Sequence, residues 1–386
     1  SWASLFNDDK KLIAFSDSVQ DAAHRAGFFG ARTWLNNVRT AWAHVLDELG
    51  VVRMPWADLS ALAAKRFDDA GSVLHMAPDT LVSEFLAPNM SWQHDWTVEL
   101  LEKGQLPATS RLPGKVRKRL LWQLFSDLTY QSQRGRTLER IGKVTMSVPW
   151  DRVQEVAATL LPRLRENFGA QGLGLAVLTQ WLWGTLTHMR RRGGVMHPEM
   201  IAYAADGQVW QLAKGAGRRE WMPPMGDYTP HPVFLTLGTH SSFDKLTGNS
   251  RRTWYDRWAE AALGQQMLLA KGMAANLYGA AFEALEKAEV LLRTTHHQGD
   301  TLALNPAKLE VDTEVAFIST TGSKRRLTVA RRDAEHLLGM PCLDAVESNY
   351  EQLIPEAADW WARRFSQGDL RRVIAAEHTG LLDRQE

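Results

Sequence analysis

Cysteine is nearly absent: the 386 residues carry one, Cys342. A single thiol excludes an internal disulfide and any cysteine-rich zinc or iron–sulfur site. A reducing, cytoplasmic setting fits that usage. Long apolar runs are absent as well. The longest candidate, Leu173 to Leu186, is interrupted by Gln180 and Gly184 and falls short of the roughly 18 apolar residues a membrane span requires. No basic-then-apolar leader opens the chain, so no secretion signal is expected. An excess of one charge sign is also missing. The 45 Lys and Arg stand against 44 Asp and Glu, so contact with nucleic acid would depend on local patches rather than net charge. Apolar residues at 45% and charged residues at 23% exclude a disordered chain. The length suits two or three domains.

What is abundant is tryptophan, 16 residues against 6 Tyr and 13 Phe. Trp34, Trp42, Trp181, Trp183, Trp254, Trp258, Trp360 and Trp361 mostly recur at helical spacing. That spacing points to core packing, with one or two left for base stacking. The chain opens at Ser1 without Met and stops at Glu386, which reads as a piece cut from a longer protein.

Lys11–Phe15 (KLIAF) is a short apolar run, Ser16-Asp17-Ser18 a polar turn able to cap a helix, and Val19 to Leu49 a long periodic segment. Strand, turn and helix in that order form the βα half of a βαβ unit. Residues 51–170 read as mostly helical, broken at Pro55, Pro78, Pro88, Pro107, Pro113 and Pro149. Basic clusters lie at Arg111–Arg119 and Gln133–Arg140. Leu175 to Met189 is an amphipathic helix ending in Arg190-Arg191-Arg192-Gly193-Gly194. It is followed by His197-Pro198-Glu199, a hairpin signal at Asp206-Gly207 and an alternating strand over Gln208–Leu212. That order is the order of a winged helix-turn-helix. Residues 216–250 are loop-like, and Tyr255 to Arg293 is one or two helices broken near Gly272. Residues 301–332 form a hairpin about Thr321-Gly322, Trp360 to Leu370 is helical, and Arg371–Ala376 is a second short apolar strand.

The candidate motifs narrow the chemistry. A phosphate-cradling loop needs Gly-Lys followed by Ser or Thr, whose hydroxyl holds Mg²⁺. Gly114-Lys115 is followed by Val116 and Gly142-Lys143 by Val144, so neither qualifies. Asp333-Ala334-Glu335-His336 reads as a solvated helix start rather than a metal-binding acidic box. Gln133-Arg134-Gly135-Arg136 reads as a basic loop able to contact a phosphate backbone or an acidic neighbour, since Leu138 and Glu139 break the spacing of an arginine-finger segment. His296-His297 reads as a surface pair, and Cys342 as a buried small residue. Arg190, Arg191 and Arg192 have two readings, stabilisation by the helix dipole or contact with phosphate.

The segment Lys10–Trp34 (KKLIAFSDSVQDAAHRAGFFGARTW) resembles the opening strand and helix of the second RecA-like domain of superfamily 2 DEAD/DEAH-box helicases, in particular the large bacterial antiphage-defence helicases of the Druantia and DISARM type. The closing segment Arg371–Glu386 (RRVIAAEHTGLLDRQE) resembles the next strand of that domain and its backbone-gripping loop. More than 300 residues separate the two, similar to the large insertions of that subgroup. The resemblance implies a mixed α/β, predominantly helical chain. Residues 1–49 would be the first part of the RecA-like domain, 50–172 a helical insertion, 173–215 the winged-helix-like unit, 216–300 a loop and helical region, 301–350 a small β element, and 351–386 the return to the RecA-like domain. It places Ser16, Asp17, Ser18 and Gln20 near the interdomain cleft and nucleic-acid track, and His378, Thr379 and Gly380 in the loop that grips the nucleic-acid backbone. Relatives commonly carry paired cysteines in the stretch matching Val315–Cys342. Here Ser319, Thr320, Thr321 and Gly322 occupy the turn, so no metal is expected.

The implied function is part of an ATP-dependent DNA helicase or translocase, with ATP and Mg²⁺ bound by the parent protein and none by this chain alone. DNA is the expected partner, with no membrane, and other subunits of a defence complex are a further implied partner. The chain by itself is expected to show no ATP turnover. Arg134, Arg136 and Arg190–Arg192 are the remaining nucleic-acid candidates, and no catalytic residue is expected. The competing reading is a non-enzymatic module that docks partner subunits, to which the proline-rich 216–250 stretch and surplus tryptophan would be suited.

Overall fold

A computed structural model describes residues 19–209, 212, 219–226, 229–240, 242–248, 252–270, 272–322, 325–355 and 360–370, with side chains from residue 30 onward. The chain is mixed α/β, with long helices and several small sheets, none of them closed. The helices are α1 (Val19–Glu48), α2 (Trp56–Lys65), α3 (Pro78–Phe85), α4 (Leu112–Leu128), α5 (Trp150–Phe168), α6 (Leu175–Arg192), α7 (Ile201–Asp206), α8 (Trp254–Leu263), α9 (Met273–Lys287) and α10 (Trp360–Gln367). The helical stretch is broken at the expected prolines, and at three of them a new helix starts. Pro78 opens α3, Pro113 lies in the first turn of α4, and Pro149 precedes α5, because the first helical N–H groups have no partner to lose. In α5 the buried Val153, Val156, Ala157, Leu160, Leu161 and Leu164 repeat at three and four residues, and Gly169 ends the helix at φ 63°. Helix α8 starts with a reciprocal capping box between Thr253 and Asp256.

The strands are β1 (Arg53–Pro55), β2 (Thr145–Ser147), β3 (Leu235–Thr236), β4 (Asp244–Lys245), β5 (Leu291–Thr294), β6 (Thr301–Leu304), β7 (Glu310–Asp312), β8 (Val315–Ser319), β9 (Arg326–Ala330), β10 (Pro341–Cys342), β11 (Ala345–Asn349) and β12 (Gln352–Ile354). They form sheets in the orders β1-β7-β2, β12-β8-β9 and β4-β3-β6-β5, plus the pair β10-β11. Every strand pairing is antiparallel except the two-residue β3–β4 pair. Val311 of β7 aligns with Met54 on one side and Met146 on the other. Segments 50–172 and 301–350 therefore fold together rather than apart. One apolar core runs from Trp34 to Phe365. Helix α10 packs back on α1, so the two ends of the described chain are neighbours. The strands expected at 11–15 and 371–376 lie outside the described residues.

Tryptophan builds this core. Trp34, Trp42, Trp122, Trp181 and Trp258 are buried, and all but Trp181 donate the indole N–H to a partner. Trp34 bonds Phe85 O at 2.8 Å, Trp42 bonds Leu120 O at 3.1 Å and Trp258 bonds Trp181 O at 3.0 Å. Arg39 of α1 and Asp127 of α4 add a buried two-point ion pair at 2.7 and 3.1 Å.

Four sequence expectations are corrected here. The winged-helix order fails at its wing. Asp206-Gly207 is the end of α7, with Gly207 at φ 72° as its left-handed cap, and no strand is present at Gln208, Val209 or Leu212. A left-handed glycine serves a helix end as well as a hairpin. Here the His240 ring lies 2.1 Å from where a Gly207 Cβ would stand, so the side-chain-free residue also admits the imidazole. The 216–250 stretch is not simply a loop, because buried Leu235 and Thr236 put β3 inside a four-stranded sheet. His296 is buried, not a surface residue. Its Nδ1 accepts from Gln298 N–H at 3.0 Å and its ring centroid sits 4.7 Å from that of His240.

Asp333 is also buried rather than solvated. With Asp312 and Glu310 it surrounds Arg332, which donates to Asp312 Oδ1 at 2.7 Å and to Glu310 at 3.1 Å. Asp312 Oδ2 and Asp333 Oδ2 are buried without hydrogen-bond partners. Burial pushes the Asp312 carboxyl up to about 6, outweighing the opposing Arg332, and also raises Asp333. The folded state therefore holds these protons more tightly than the unfolded chain. Stability from Asp312 is greatest below about pH 4 and falls as pH rises to about 6, a change of about 2 kcal/mol. Urea unfolding at several pH values is expected to show this slope, and Asp312→Asn is expected to flatten it. An unchanged slope in the variant would assign the effect elsewhere.

Candidate nucleic-acid interface

The end of α6 is set by Gly193 at φ 90°, whose N–H bonds Arg190 O while Gly194 N–H bonds Met189 O. The three arginines of that last turn point in different directions, and each meets a carboxylate. Arg190 is buried. Its Nη atoms donate to both oxygens of the buried Glu139 at 2.6 and 2.7 Å, and Nη1 also reaches Leu128 O. Arg191 Nη2 lies 2.8 and 2.9 Å from the two Asp344 oxygens. Arg192 holds Asp244 through Nε and Nη2 at 2.8 and 2.9 Å. Arg190 is thereby removed from the nucleic-acid candidates, because a fully buried side chain spent on Glu139 cannot meet a phosphate.

The Arg190–Glu139 pair sits beneath a cleft of about 830 Å³. Residues next to the pair supply the walls. Arg140 follows Glu139 and Arg191 follows Arg190. Thr328, whose hydroxyl donates to Glu139 O at 2.6 Å, lies two residues beyond Arg326. Five arginines line the cleft, Arg136, Arg140, Arg191, Arg325 and Arg326, against one carboxylate, Asp344. Two aromatic rings pin two of them. The Arg136 guanidinium lies 3.8 Å from the Trp361 ring centroid and that of Arg326 lies 4.8 Å from Phe317. Arg140 Nη1 donates to Gly135 O at 3.1 Å and to Gln133 O at 3.4 Å, folding its own loop. Arg325 Nη1 donates to Asp344 O at 2.8 Å.

The structure thus brings together Arg136 and Arg191 from two clusters singled out in the sequence. Arg134 is exposed on the same loop as Arg136 but does not line the cleft. Arg192 turns to a second cleft of about 370 Å³ with Asp244, Lys245, His188 and Trp254. There His188 stacks on Trp254 at 3.6 Å, and burial, helped by Arg192 and Arg191, keeps its pKa well below the usual histidine value. Gln20 lies on α1 at a position whose side chain is not described, and Ser16, Asp17, Ser18, His378, Thr379 and Gly380 lie outside the described residues. Sequence reading missed Arg325, Arg326 and Phe317, and it named Arg140 and Trp361 only within a basic cluster and a tryptophan set without choosing them for the site. The signal for Arg325 and Arg326 was their place at the turn end of the β8–β9 hairpin, where the strand's first residue is exposed.

The two Gly-Lys lysines serve as structural ties. Lys115 Nζ donates to Glu220 at 2.6 Å and Gln93 at 2.9 Å, and Lys143 Nζ to Asp47 at 2.6 Å and Ser366 at 2.8 Å. Among the described residues no group of three or more His, Cys, Asp or Glu side chains is placed to hold a metal ion, and no helix is long and apolar enough to cross a membrane. The chain matches no protein-family model, no curated protein and no solved structure.

Proposed function

We propose that this chain contributes a nucleic-acid-contacting surface to an ATP-dependent DNA helicase or translocase of the superfamily 2 type, and that the arginine cleft is where the strand's phosphates sit. The RecA-like assignment of the chain ends and the antiphage-defence setting rest on the sequence resemblance at Lys10–Trp34 and Arg371–Glu386. ATP and Mg²⁺ would be held by other parts of the parent protein. The observation that carries the reading is the charge imbalance of the cleft, five guanidiniums facing one carboxylate. Guanidinium forks match phosphate oxygens, and cations already stacked on rings lose less freedom on binding. Because Arg136 and Arg326 already occupy the Trp361 and Phe317 rings, the cleft favours backbone phosphates over stacked bases. Binding should be largely indifferent to sequence and steeply dependent on salt.

The test is anisotropy with a labelled mixed-sequence single strand of about 20 nucleotides. The double substitution Arg136→Ala, Arg140→Ala is expected to weaken binding about tenfold and to reduce the salt slope by roughly 1.4, the share of two phosphate contacts. Unchanged affinity in that variant would overturn the reading. Poly-glutamate displacing the strand as readily as a second nucleic acid would instead favour an acidic protein partner.

A further inference from the structure

The proposed use of the cleft leaves one contact unexplained, the carboxylate that Asp344 lays on Arg191. Asp344 lies in the tight turn between β10 and β11, and that turn is tied down on several sides. Trp254 Nε1 donates to Leu343 O at 3.0 Å, Arg325 Nη1 to Asp344 O at 2.8 Å and Leu343 N–H to Tyr350 Oη at 3.4 Å. The carboxylate cannot swing far from Arg191. The two side chains are unequally exposed: 43% for Asp344 and 10% for Arg191. The carboxylate therefore lies on the solvent side and covers the guanidinium. A carboxylate and a phosphodiester both offer two anionic oxygens to one guanidinium.

We propose that Asp344 occupies a phosphate seat of the cleft: Arg191 and Arg325 form a subsite for one backbone phosphate, and the Asp344 carboxylate is its built-in competitor. The proposal rests on the nucleic-acid reading of the cleft and adds a residue that limits affinity. An incoming phosphate must either displace the carboxylate from Arg191 or bind beside a like charge. An exposed ion pair is worth little on its own, whereas a like charge held at a binding surface is a standing penalty. Removing the charge should tighten strand binding roughly three- to tenfold. If Asp344 merely oriented Arg191, the same change would weaken binding.

The experiment measures the same labelled single strand on wild type, Asp344→Asn, Asp344→Ala and Glu347→Gln between about 50 and 200 mM salt, with thermal melting as a check on folding. Glu347→Gln on β11 changes net charge equally outside the cleft lining. Tighter binding by both Asp344 variants, with a steeper salt slope and no such gain from Glu347→Gln, is the expected result. Equal or weaker binding by the Asp344 variants, or an equal gain from Glu347→Gln, overturns the proposal. The Arg136/Arg140 double variant is the separate arm. If it leaves wild-type binding intact, the cleft reading fails. If it weakens binding while Asp344→Asn changes nothing, only the seat fails. No binding by any variant overturns both.

Discussion

Replacing Arg190 by alanine is expected to cost on the order of 3–5 kcal/mol of folding stability, a large share of the roughly 5–15 kcal/mol that holds a folded chain together. Both partners of the Arg190–Glu139 pair are essentially without solvent contact. Truncating the arginine strands a carboxylate whose remaining side-chain contact is the Thr145 hydroxyl at 3.5 Å, too long to compensate. It also leaves Leu128 O without its donor. The double substitution Arg190→Met, Glu139→Leu removes both charges together and is expected to recover most of the loss, since apolar replacements of a buried pair are often neutral. Arg191→Ala and Arg192→Ala break partly exposed pairs and should each cost at most about 1 kcal/mol. Urea midpoints for the four variants check the ordering. A midpoint for Arg190→Ala within 1 kcal/mol of wild type would mean that Glu139 finds another partner. Changing the three arginines together would confuse unfolding with lost phosphate contact, so Arg191, which lines the cleft, is the useful one for binding measurements, and Arg192, which faces the second cleft, is its control.

The buried pair also shows how far the sequence could be read. Helices α1, α5, α6 and the α8–α9 break near Gly272 were legible because apolar spacing and caps are local signals. Of the hairpin expected over residues 301–332, the β8–β9 part around its turn was legible, whereas β6 and β7 in the same span pair in two other sheets. The β1-β7-β2 sheet was not legible. Each strand is three residues long, and the partners come from positions near 54, 311 and 146, so no periodicity marks them. Asp206-Gly207 misled because a left-handed glycine closes a helix and a hairpin alike. At the cleft, the sequence showed that Arg136 and Arg191 were basic surface candidates. It could not show that a Glu139–Arg190 pair would fasten their two segments together, nor that Arg325 and Arg326 would arrive from a hairpin on the other side. A basic run at a helix end looks the same whether its first arginine faces the core or the solvent.

The second large effect is expected at Gly184, on the inner face of α6. A Cβ there would stand 2.1 Å from Trp258 Cζ2 and 2.7 Å from Cη2, well inside any van der Waals contact. The indole has no room to yield. It is fully buried, its N–H is tied to Trp181 O at 3.0 Å, and its face stacks on Trp254 at 5.3 Å and 13°. Two terms oppose each other in Gly184→Ala. Helix propensity favours alanine by up to about 1 kcal/mol, whereas forcing a methyl group into a packed crossing costs about 1–3 kcal/mol and more where neighbours cannot shift. The clash should win, with a net loss of about 3 kcal/mol. Gly279 on α9 is the contrast, because its Cβ would meet nothing within 4 Å. Gly279→Ala should therefore show propensity alone and raise stability by roughly 0.5–1 kcal/mol. Trp258→Phe removes the ring atoms that collide, so Gly184→Ala should cost less in that background than in wild type, a coupling that a double-mutant cycle of urea midpoints measures. Melting of Gly184→Ala at or above the wild-type temperature would show that α6 and α8 can move apart at little cost, and that the glycine is not what sets their approach.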